Sequence, residues 1–285
     1  MPFISGPDGD LKTAFVSDSW LLDQFVGNTL FTWGRNGYGQ LGDNTSVAKS
    51  NPVQTIATGI NWKQIASGTY HTEAVKVDGT LWCWGYNNQG RLGDNTTTDR
   101  SSPIQTITFG TNWKQVSCGY HNTAGIKTDG TLWNWGYNYN GQLGDNTIVR
   151  KSSPVQTVAF GTNWKQVSSG YYNRAAIKTD GTLWCWGKNS YGQLGDNTTT
   201  GRSSPVQTIT YGTNWKQVSC GLNHTAAIKT DGTLWAWGDN STYGQLGDNS
   251  TTKRSSPVQT TAYGNNWKQV GCGFYHTAAV TNGDI

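Results

Sequence analysis

An internal repeat of about 51 residues constrains the fold more than any other feature of the sequence. One leucine recurs every 51 residues, at Leu30, Leu81, Leu132, Leu183 and Leu234. The tryptophan of the phrase NWKQ recurs at spacings of 51, 51, 51 and 52 residues, at Trp62, Trp113, Trp164, Trp215 and Trp267. A period this regular predicts one supersecondary unit that is used several times over.

Each repeat contains four short strand signals. In chain order they are PVQTI, then WKQVSCG, then TAAIKT closed by an Asp-Gly turn, and finally TLWCWG. In the last, period-two alternation places Trp82 and Trp84 on one face of the strand and Leu81 and Cys83 on the other. Four hairpin-connected strands in about 50 residues are typical of one β-propeller blade. No segment keeps a 3.6-residue period, which excludes a helical solenoid.

The chain enters the repeat at its fourth strand signal and leaves after the third. The two incomplete ends together make one whole repeat. We therefore predict an all-β fold, a closed propeller of about five four-stranded blades in which one blade combines N-terminal and C-terminal strands. Closure would remove exposed sheet edges. The alternatives are that the half repeat only marks where the sequence was cut, or that it is exchanged with a neighbouring chain.

The composition agrees with this fold and excludes some functions. Charged residues are only 13% of the chain, while it has 37 Gly and more Trp (15) than Phe (7), which is a strand-rich composition with many turns. A net charge of +4 does not indicate a nucleic-acid-binding protein. No apolar run approaches the roughly 18 residues that span a bilayer, and the N-terminus lacks the features of a secretory signal.

Residues 1–27 belong to no repeat, and residues 28–285 form the predicted propeller. The phrase SDSWLLDQFV places apolar residues at short-helix spacing after a capping residue. These predicted docking residues are Trp20, Leu21, Leu22 and Phe25. The segment is expected to dock into a larger assembly or to cover the propeller.

The repeated motif resembles a known family. W-x-W-G-x-N-x-x-G-Q-L-G, followed by P-V and then by G-x-x-H-T-A-A-I, is similar to the regulator of chromosome condensation repeat. The resemblance covers nearly all of the chain from Asn28 to Asp284. It implies a propeller that usually has seven blades, and its best-known member is a guanine-nucleotide exchange factor for a small nuclear GTPase that also binds chromatin.

The sequence departs from that member in its five repeats, its nearly invariant period without an inserted wedge, and its lack of a basic N-terminal tail. The near identity of the copies resembles bacterial and phage repeat proteins. The leading hypothesis is therefore a non-enzymatic protein that displays loops on a rigid propeller, as a phage virion component anchored by its N-terminus. The alternative is a cytosolic exchange-factor-like regulator of a small GTPase. A more remote one is a five-bladed carbohydrate-binding or glycosidase propeller.

The acidic, histidine and cysteine residues favour structural roles over catalysis. The Asp-Asn pair of each GQLGDN or GRLGDN phrase is interpreted as a turn, because one carboxylate per blade suits a metal ion poorly. His71, His224 and His276 align with asparagines in the other copies, which indicates a side-chain hydrogen bond in a turn. At the repeat positions of the five cysteines, other copies have Ser, Ala, Thr or Asn, and such replacement is typical of thiols that only fill space. We predict no catalytic residues, no metal and no cofactor.

Residues that change between copies are better candidates for recognition. After the glycine that follows WKQ, aromatic residues would crowd one face of a ring, where they could bind a partner or pack at the channel mouth. These candidates are Tyr70, Tyr120, Tyr171, Tyr172, Phe274 and Tyr275. A second varied position follows Trp-Gly in each copy, at Arg35, Tyr86, Tyr137, Lys188 and Asp239.

The loops after GDN carry a positive residue in every copy. In a closed ring these residues would form a basic rim; the alternative is that they only keep solvated loops soluble. They are Lys49, Arg100, Arg150, Lys151, Arg202, Lys253 and Arg254. The expected partners are proteins of a larger assembly, with a glycan or an acidic surface as further candidates and nucleic acid not expected. The expected location is a virion or otherwise the cytoplasm.

Overall fold

A computed structural model describes residues 28–56, 61–107, 110–158, 161–209, 212–261 and 264–283. These residues form twenty β-strands, and the described ranges contain no helix long and apolar enough to cross a membrane. Four of the sheets have four strands each, and two have two strands each. The all-β class is confirmed. The predicted docking segment, with Trp20, Leu21, Leu22 and Phe25, lies outside the described residues.

The four-stranded sheets are complete blades of one repeated pattern. Blade 1 contains β3 (Trp62–Ser67), β4 (His71–Lys76), β5 (Leu81–Gly85) and β6 (Arg100–Gln105). Blade 2 contains β7 (Trp113–Cys118), β8 (Asn122–Lys127), β9 (Leu132–Gly136) and β10 (Lys151–Gln156). Blade 3 contains β11 (Trp164–Ser169), β12 (Asn173–Lys178), β13 (Leu183–Gly187) and β14 (Arg202–Gln207). Blade 4 contains β15 (Trp215–Cys220), β16 (His224–Lys229), β17 (Leu234–Gly238) and β18 (Arg254–Gln259).

Half-blades stand at both ends of the described chain. The first contains β1 (Phe31–Gly34) and β2 (Lys49–Gln54), and the last contains β19 (Trp267–Cys272) and β20 (Thr277–Thr281). The predicted composite blade is not formed, because these two pairs lie in separate two-stranded sheets. The described residues thus make four complete blades between two half-blades, and closure of the ring within one chain is not seen.

The position of the blade boundary also differs from the prediction. Within each complete blade the strand order follows the chain from WKQ through TAAIK and TLW to SSPVQ, so the PVQ strand is the last of its blade and not the first. The chain therefore enters at a third strand and leaves after a second. A repeat read from the sequence has no marked beginning, since four strand signals follow one another in a cycle.

Antiparallel hairpins connect the strands of each blade. In blade 3, the second and third strands pair in unbroken register from Asn173↔Gly187 to Ile177↔Leu183. The Asp-Gly turn before the third strand is closed by the Asp carboxylate, which in blade 1 accepts from the Thr80 amide at 2.9 Å and from its hydroxyl at 2.7 Å. The hairpins predicted from Asp-Gly are confirmed.

Tryptophans fill the space between neighbouring blades. The second tryptophan of the third strand is fully buried in every complete blade, at Trp84, Trp135, Trp186 and Trp237. Each packs near the NWKQ tryptophan of its own blade, with ring centroids 6.0 Å apart for Trp215 and Trp237. Burial of such rings contributes a large part of the core stability of an all-β protein.

The glutamine of NWKQ bonds each blade to the next. The Gln115 side chain accepts from the Val167 amide at 3.1 Å and donates to the Val167 carbonyl at 3.3 Å. Gln64 bonds in the same way to Val116, and Gln166 to Val218. The first strands of neighbouring blades contact each other. Each glutamine side chain thus helps to set the position of the next blade, and it does so by bonding to that blade's backbone and not to its side chains.

Candidate binding face

The Asp-Asn turns after the third strands are tightly bonded within themselves. In blade 3, the Asp196 carboxylate accepts from the Thr198 amide and hydroxyl, at 3.1 and 2.7 Å, and from the Asn189 side chain at 3.0 Å. Asn197 has a φ of 59°, the left-handed conformation that asparagine tolerates. Burial alone would raise the pKa of Asp196, but these hydrogen bonds, together with one from Arg202, hold it below its usual range. The interpretation of Asp-Asn as a turn is confirmed.

Five of the seven residues of the predicted basic rim form ion pairs with these turns. One cation per repeat forms an ion pair with the turn aspartate of the same repeat: Lys49–Asp43, Arg100–Asp94, Lys151–Asp145, Arg202–Asp196 and Arg254–Asp248. The two remaining cations contact other loops. Arg150 donates to the Gln89 side chain at 3.5 Å, and the Lys253 ammonium lies 4.6 Å from the centre of the Tyr191 ring. Most of the predicted rim cations are therefore paired within their own repeats, and recognition of an acidic partner by this rim stays a prediction.

Aromatic rings form a continuous row at one end of the propeller. Tyr120 and Tyr171, from neighbouring blades, are stacked with centroids 3.7 Å apart. Tyr70 lies 5.6 Å from Tyr120 on one side, and Phe274 lies 5.2 Å from Tyr171 on the other. The turns between the first and second strands carry all four rings to the same end of the propeller. Three of them, Tyr120, Tyr171 and Phe274, border a cavity of about 320 Å³ whose wall also contains Leu222, the equivalent residue of blade 4.

The second group of predicted residues joins this row. Tyr86 lies 6.0 Å from Tyr70, and Tyr137 lies 5.9 Å from His121, so the loops after Trp-Gly share the face. The Arg35 guanidinium lies 5.2 Å from the Tyr70 ring, and the Lys188 ammonium 5.2 Å from the Tyr172 ring. Cations placed in this way over aromatic rings stabilise both partners.

Two of the predicted residues complete the outline of this face. Tyr275 contacts Phe274 at 5.5 Å, which extends the row to the last half-blade. The Asp239 carboxylate accepts from the Ser241 amide at 3.2 Å and from its hydroxyl at 2.8 Å, so this acid shapes its own loop. The structure therefore brings the two varied loop positions together on one face, named here the aromatic face.

Sequence reasoning missed five members of the aromatic face. Tyr38 lies 4.3 Å from Tyr86, and Tyr139, Tyr191 and Tyr243 stand in the corresponding loops of later repeats. The Arg91 guanidinium lies 4.5 Å from the Tyr86 ring and donates to the Tyr120 carbonyl at 3.2 Å. These residues follow the invariant Asn of each loop, and their variation between copies was the signal that could have identified them.

His71 and His224 bond between blades and not within a turn, which corrects the prediction for these two residues. His71 Nε2 lies 3.0 Å from the Thr123 hydroxyl of the next blade, and His224 Nε2 lies 3.1 Å from that of Thr277. Asn173 makes the equivalent bond to Thr225 at 3.3 Å, which explains why His and Asn replace each other. Burial is the main reason that the pKa of His224 falls to about 4, so these imidazoles are neutral at pH 7.

One buried polar cluster breaks the symmetry of the repeats. Glu73 stands where the other four copies have Ala, and its carboxyl is fully buried against the next blade. It accepts from the Trp135 indole at 3.3 Å, and its ligand atoms lie within 4.8 Å of those of His71 and Cys118. Burial raises the pKa of Glu73 well above its ordinary value, with smaller opposing effects from Thr123, Trp135 and Arg174. This carboxyl is the most strongly desolvated acid among the described residues.

Replacing Glu73 with Gln is expected to stabilise the protein above neutral pH by about 1–3 kcal/mol. The folded-state pKa lies above the unfolded value, so the stability given by the protonated carboxyl is full below about pH 4.5 and falls as pH rises through the folded pKa. Urea unfolding at pH 4 and pH 8 checks this, with equal stabilities of wild type and Glu73→Gln expected at pH 4. Asp78→Asn is the control of opposite sign, because the partial burial that would raise the pKa of Asp78 is outweighed by the hydrogen bonds from Thr80 and the charge of Lys76, which lower it. Parallel pH profiles for wild type and Glu73→Gln would contradict the prediction.

The cysteines occupy the interior as thiols. All five are free, and Cys83, Cys185 and Cys220 are buried. Cys118 and Cys272 are half-buried and donate to carbonyls of the preceding blade, at 3.4 Å to Ala66 and 3.3 Å to Ser219. Burial raises the pKa of Cys220 to about 12 and that of Cys272 to about 11. The predicted space-filling role therefore fits the three buried thiols, and the other two add bonds between blades.

Comparison with curated proteins places this architecture among known relatives. The chain is 34% identical over 253 residues to the ultraviolet-B receptor UVR8 of Arabidopsis thaliana, covering 87% of this chain and 57% of that protein. It is 30% identical over 286 residues to the probable E3 ubiquitin-protein ligase HERC6 of Homo sapiens, covering 96% of this chain and 28% of that protein. The chain thus spans about half of the first relative and about a quarter of the second.

Solved structures share the fold. Human WBSCR16 superposes with a TM-score of 0.77 at 23% identity, over 90% of this chain and 68% of its own. Yeast RCC1 (Prp20), solved with Kap60, superposes with a TM-score of 0.75 at 19% identity, over 90% of this chain and 63% of its own. The RCC1-like domain family matches residues 18–285, so the chain is a β-propeller protein of that family.

Proposed function

We propose that the chain is a non-enzymatic, protein-binding propeller whose partner contacts the aromatic face. The observation that carries the proposal is the row of contacting rings from Tyr70 through Tyr120 and Tyr171 to Phe274. These rings come from blades 1, 2 and 3 and from the last half-blade. Aromatic side chains dominate the energetic centres of protein interfaces. A rigid propeller holds them in place before binding, which lowers the entropy cost of association.

The chemistry of the face favours a protein over an ionic ligand. Burial and Arg91 lower the pKa of His121 to about 4, so this ring is uncharged at neutral pH. Phe274 and Tyr275 are about half exposed, and Arg35 is exposed beside Tyr38 and Tyr70. Aromatic rings with arginine at their edge match the composition of interface centres, from which lysine and acidic residues are depleted.

The relatives support a regulatory role through binding. Those described above are a plant receptor and a human ubiquitin ligase, and Prp20 has been described as binding Gsp1p and histones. They are plant, human and yeast proteins and give no support to a virion component, so we do not propose that role. The predicted docking function of residues 1–27 stays a prediction.

Site-specific photo-crosslinking tests the proposal. The photoreactive residue p-benzoylphenylalanine would replace Tyr171 or Phe274 in the full chain, expressed in its own host. The control position is Val77, which is exposed in the turn after β4, at the opposite end of that strand from Tyr70. We expect one protein to crosslink from both face positions and not from the control. Purified, it should bind Tyr171→Ala at least about tenfold more weakly than wild type. Equal crosslinking from all three positions, or unchanged affinity of Tyr171→Ala, would contradict the proposal.

A second candidate is an exchange-factor-like regulator of a small GTPase, favoured by the shared fold with Prp20. The nearly constant repeat length leaves no inserted wedge, so the aromatic face itself would have to engage the GTPase. Release of a fluorescent GDP analogue from a small nuclear GTPase tests this candidate. It predicts accelerated release by wild type and none by Tyr171→Ala. Unchanged release with wild type would leave protein binding as the better proposal.

A further inference from the structure

Four junctions between neighbouring blades share the same packing of a tryptophan against a glycine. The buried tryptophan of each third strand enters a socket beside the glycine of the preceding Gly-Asp-Asn turn. In blade 3, the Trp186 indole donates to the Gln142 carbonyl at 3.0 Å. A Cβ on Gly144 would lie 2.8 Å from the same indole, and Gly42, Gly93 and Gly195 give nearly the same distance to their own tryptophans. The socket therefore fits an indole and requires glycine.

No described side chain enters the fifth socket. Gly247 is the equivalent glycine after blade 4, and the nearest atom to a Cβ there would be 3.8 Å away, in Thr260. Beside it lies a cavity of about 360 Å³, lined by Leu234, Leu246, Trp267 and Ala279. These four residues correspond to Leu183, Leu194, Trp215 and Ala227, which pack in the core cluster of Trp237. The cavity thus has the walls of a tryptophan socket.

The tryptophan that would fit this socket, called the plug below, is exposed at the other end of the described chain. Trp33 in β1 corresponds to the four buried tryptophans, yet it is 61% exposed, and Phe31 beside it is 48% exposed. On the socket side, Val280 of β20 is 57% exposed, while its equivalent Ile228 is fully buried. Thr277 already donates to the Gln245 carbonyl at 2.8 Å, as Thr225 does to Gln193 in the complete blade. The last half-blade is therefore in position to receive a third strand.

The first strands at the two ends are also complementary. Gln269 is exposed, whereas its equivalents Gln64, Gln115 and Gln166 bond to the next blade. Ile65 of blade 1 is 44% exposed, whereas its equivalents Val116, Val167 and Val218 are nearly fully buried. Each end thus presents one half of the junction that already occurs inside the chain.

We propose that β1 and β2 of a second copy complete the last half-blade, with Trp33 of that copy entering the socket beside Gly247. The register follows from blade 4, where Ala226 pairs with Ala236 and Ala227 with Trp235, so that Ala278 would pair with Thr32 and Ala279 with Phe31. A second copy is the occupant because none of the described residues of the chain fills the socket, and because the junction repeats an interface already built four times. The contact is head-to-tail, so each copy carries one plug and one socket.

Engineered disulfides test which chain supplies the strand. Thr32→Cys and Ala278→Cys would be prepared as two separate proteins of different mass, mixed and oxidised, with wild type as the control for its five native thiols. We expect a crosslinked product that contains one chain of each kind. A Thr32→Cys/Ala278→Cys double variant that crosslinks only within one chain, while the mixture stays uncrosslinked, would overturn the proposal in favour of ring closure.

Sedimentation of the full chain over a range of concentrations gives an independent readout. We expect concentration-dependent association, and dissociation constants at least about 100-fold higher for Trp33→Ala and Gly247→Ala than for wild type. Both substitutions lie where the monomer has space, so circular dichroism should show that each variant is folded. A wild type that remains monomeric, or association unchanged in both variants, would overturn the proposal.

Discussion

Replacing Trp186 with alanine is expected to lower the free energy of unfolding by about 3–5 kcal/mol. The ring is fully buried between blades 2 and 3, and its indole N–H donates to the Gln142 carbonyl. Alanine would leave a cavity beside Trp164 and remove the donor for that carbonyl. Urea unfolding followed by tryptophan fluorescence and far-ultraviolet circular dichroism measures the loss.

Trp33→Ala is the matched control for that substitution. Trp33 occupies the same position of the repeat but is mostly exposed, so its removal should cost less than about 1 kcal/mol where the chain is a monomer. Because the local sequence is nearly the same, the difference between the variants isolates the packing between blades. Equal losses for Trp33 and Trp186 would show that this packing is not the source of the stability.

Gly144→Ala is expected to destabilise the fold by about 3–4 kcal/mol. Its φ is +66°, which alanine adopts at a cost of about 1–2 kcal/mol. The added methyl group would also lie 2.8 Å from the Trp186 indole nitrogen, and so it would push the buried ring out of its socket. The midpoint of urea denaturation should fall without a change in slope.

Gly247→Ala separates the two contributions to that loss. Its φ is +64°, so the backbone strain is the same, but among the described residues the atom nearest to the added carbon is 3.8 Å away. In the monomer this variant should lose only the strain energy of about 1–2 kcal/mol. A loss as large as that of Gly144→Ala would mean that the backbone conformation, and not the indole contact, makes the glycine necessary.

Much of the fold could be predicted from the sequence because its signals are local. The Asp-Gly hairpins, the Asp-Asn turns and the alternation of Trp82 and Trp84 depend on residues a few positions apart. The blade boundary could not be predicted, since the strand signals form a cycle and only pairing between strands marks where a sheet ends. Closure was also out of reach, because it depends on the rotation between blades, which small contacts such as those of Gln115 set.

The candidate face was predicted in part for the same reason. Variation between copies identified Tyr70, Tyr120 and Tyr171, and their turns carry them to one end of the propeller. The basic residues were harder to interpret, since pairing such as that of Arg202 with Asp196 needs three-dimensional placement. The role of His71 depended on a threonine 52 residues away in the next blade, and no local pattern reports such a bond.

The glutamine bonds between first strands bear on how such a chain can change length in evolution. Gln115 bonds only to the backbone of Val167, so its partner can have any side chain that fits the strand. A duplicated 51-residue unit would therefore meet both neighbours with contacts that are already compatible. In proteins whose units contact only their neighbours, stability is nearly a sum of unit and junction energies. Unequal recombination between near-identical copies could then add or remove a blade in one genetic event without a new interface having to evolve.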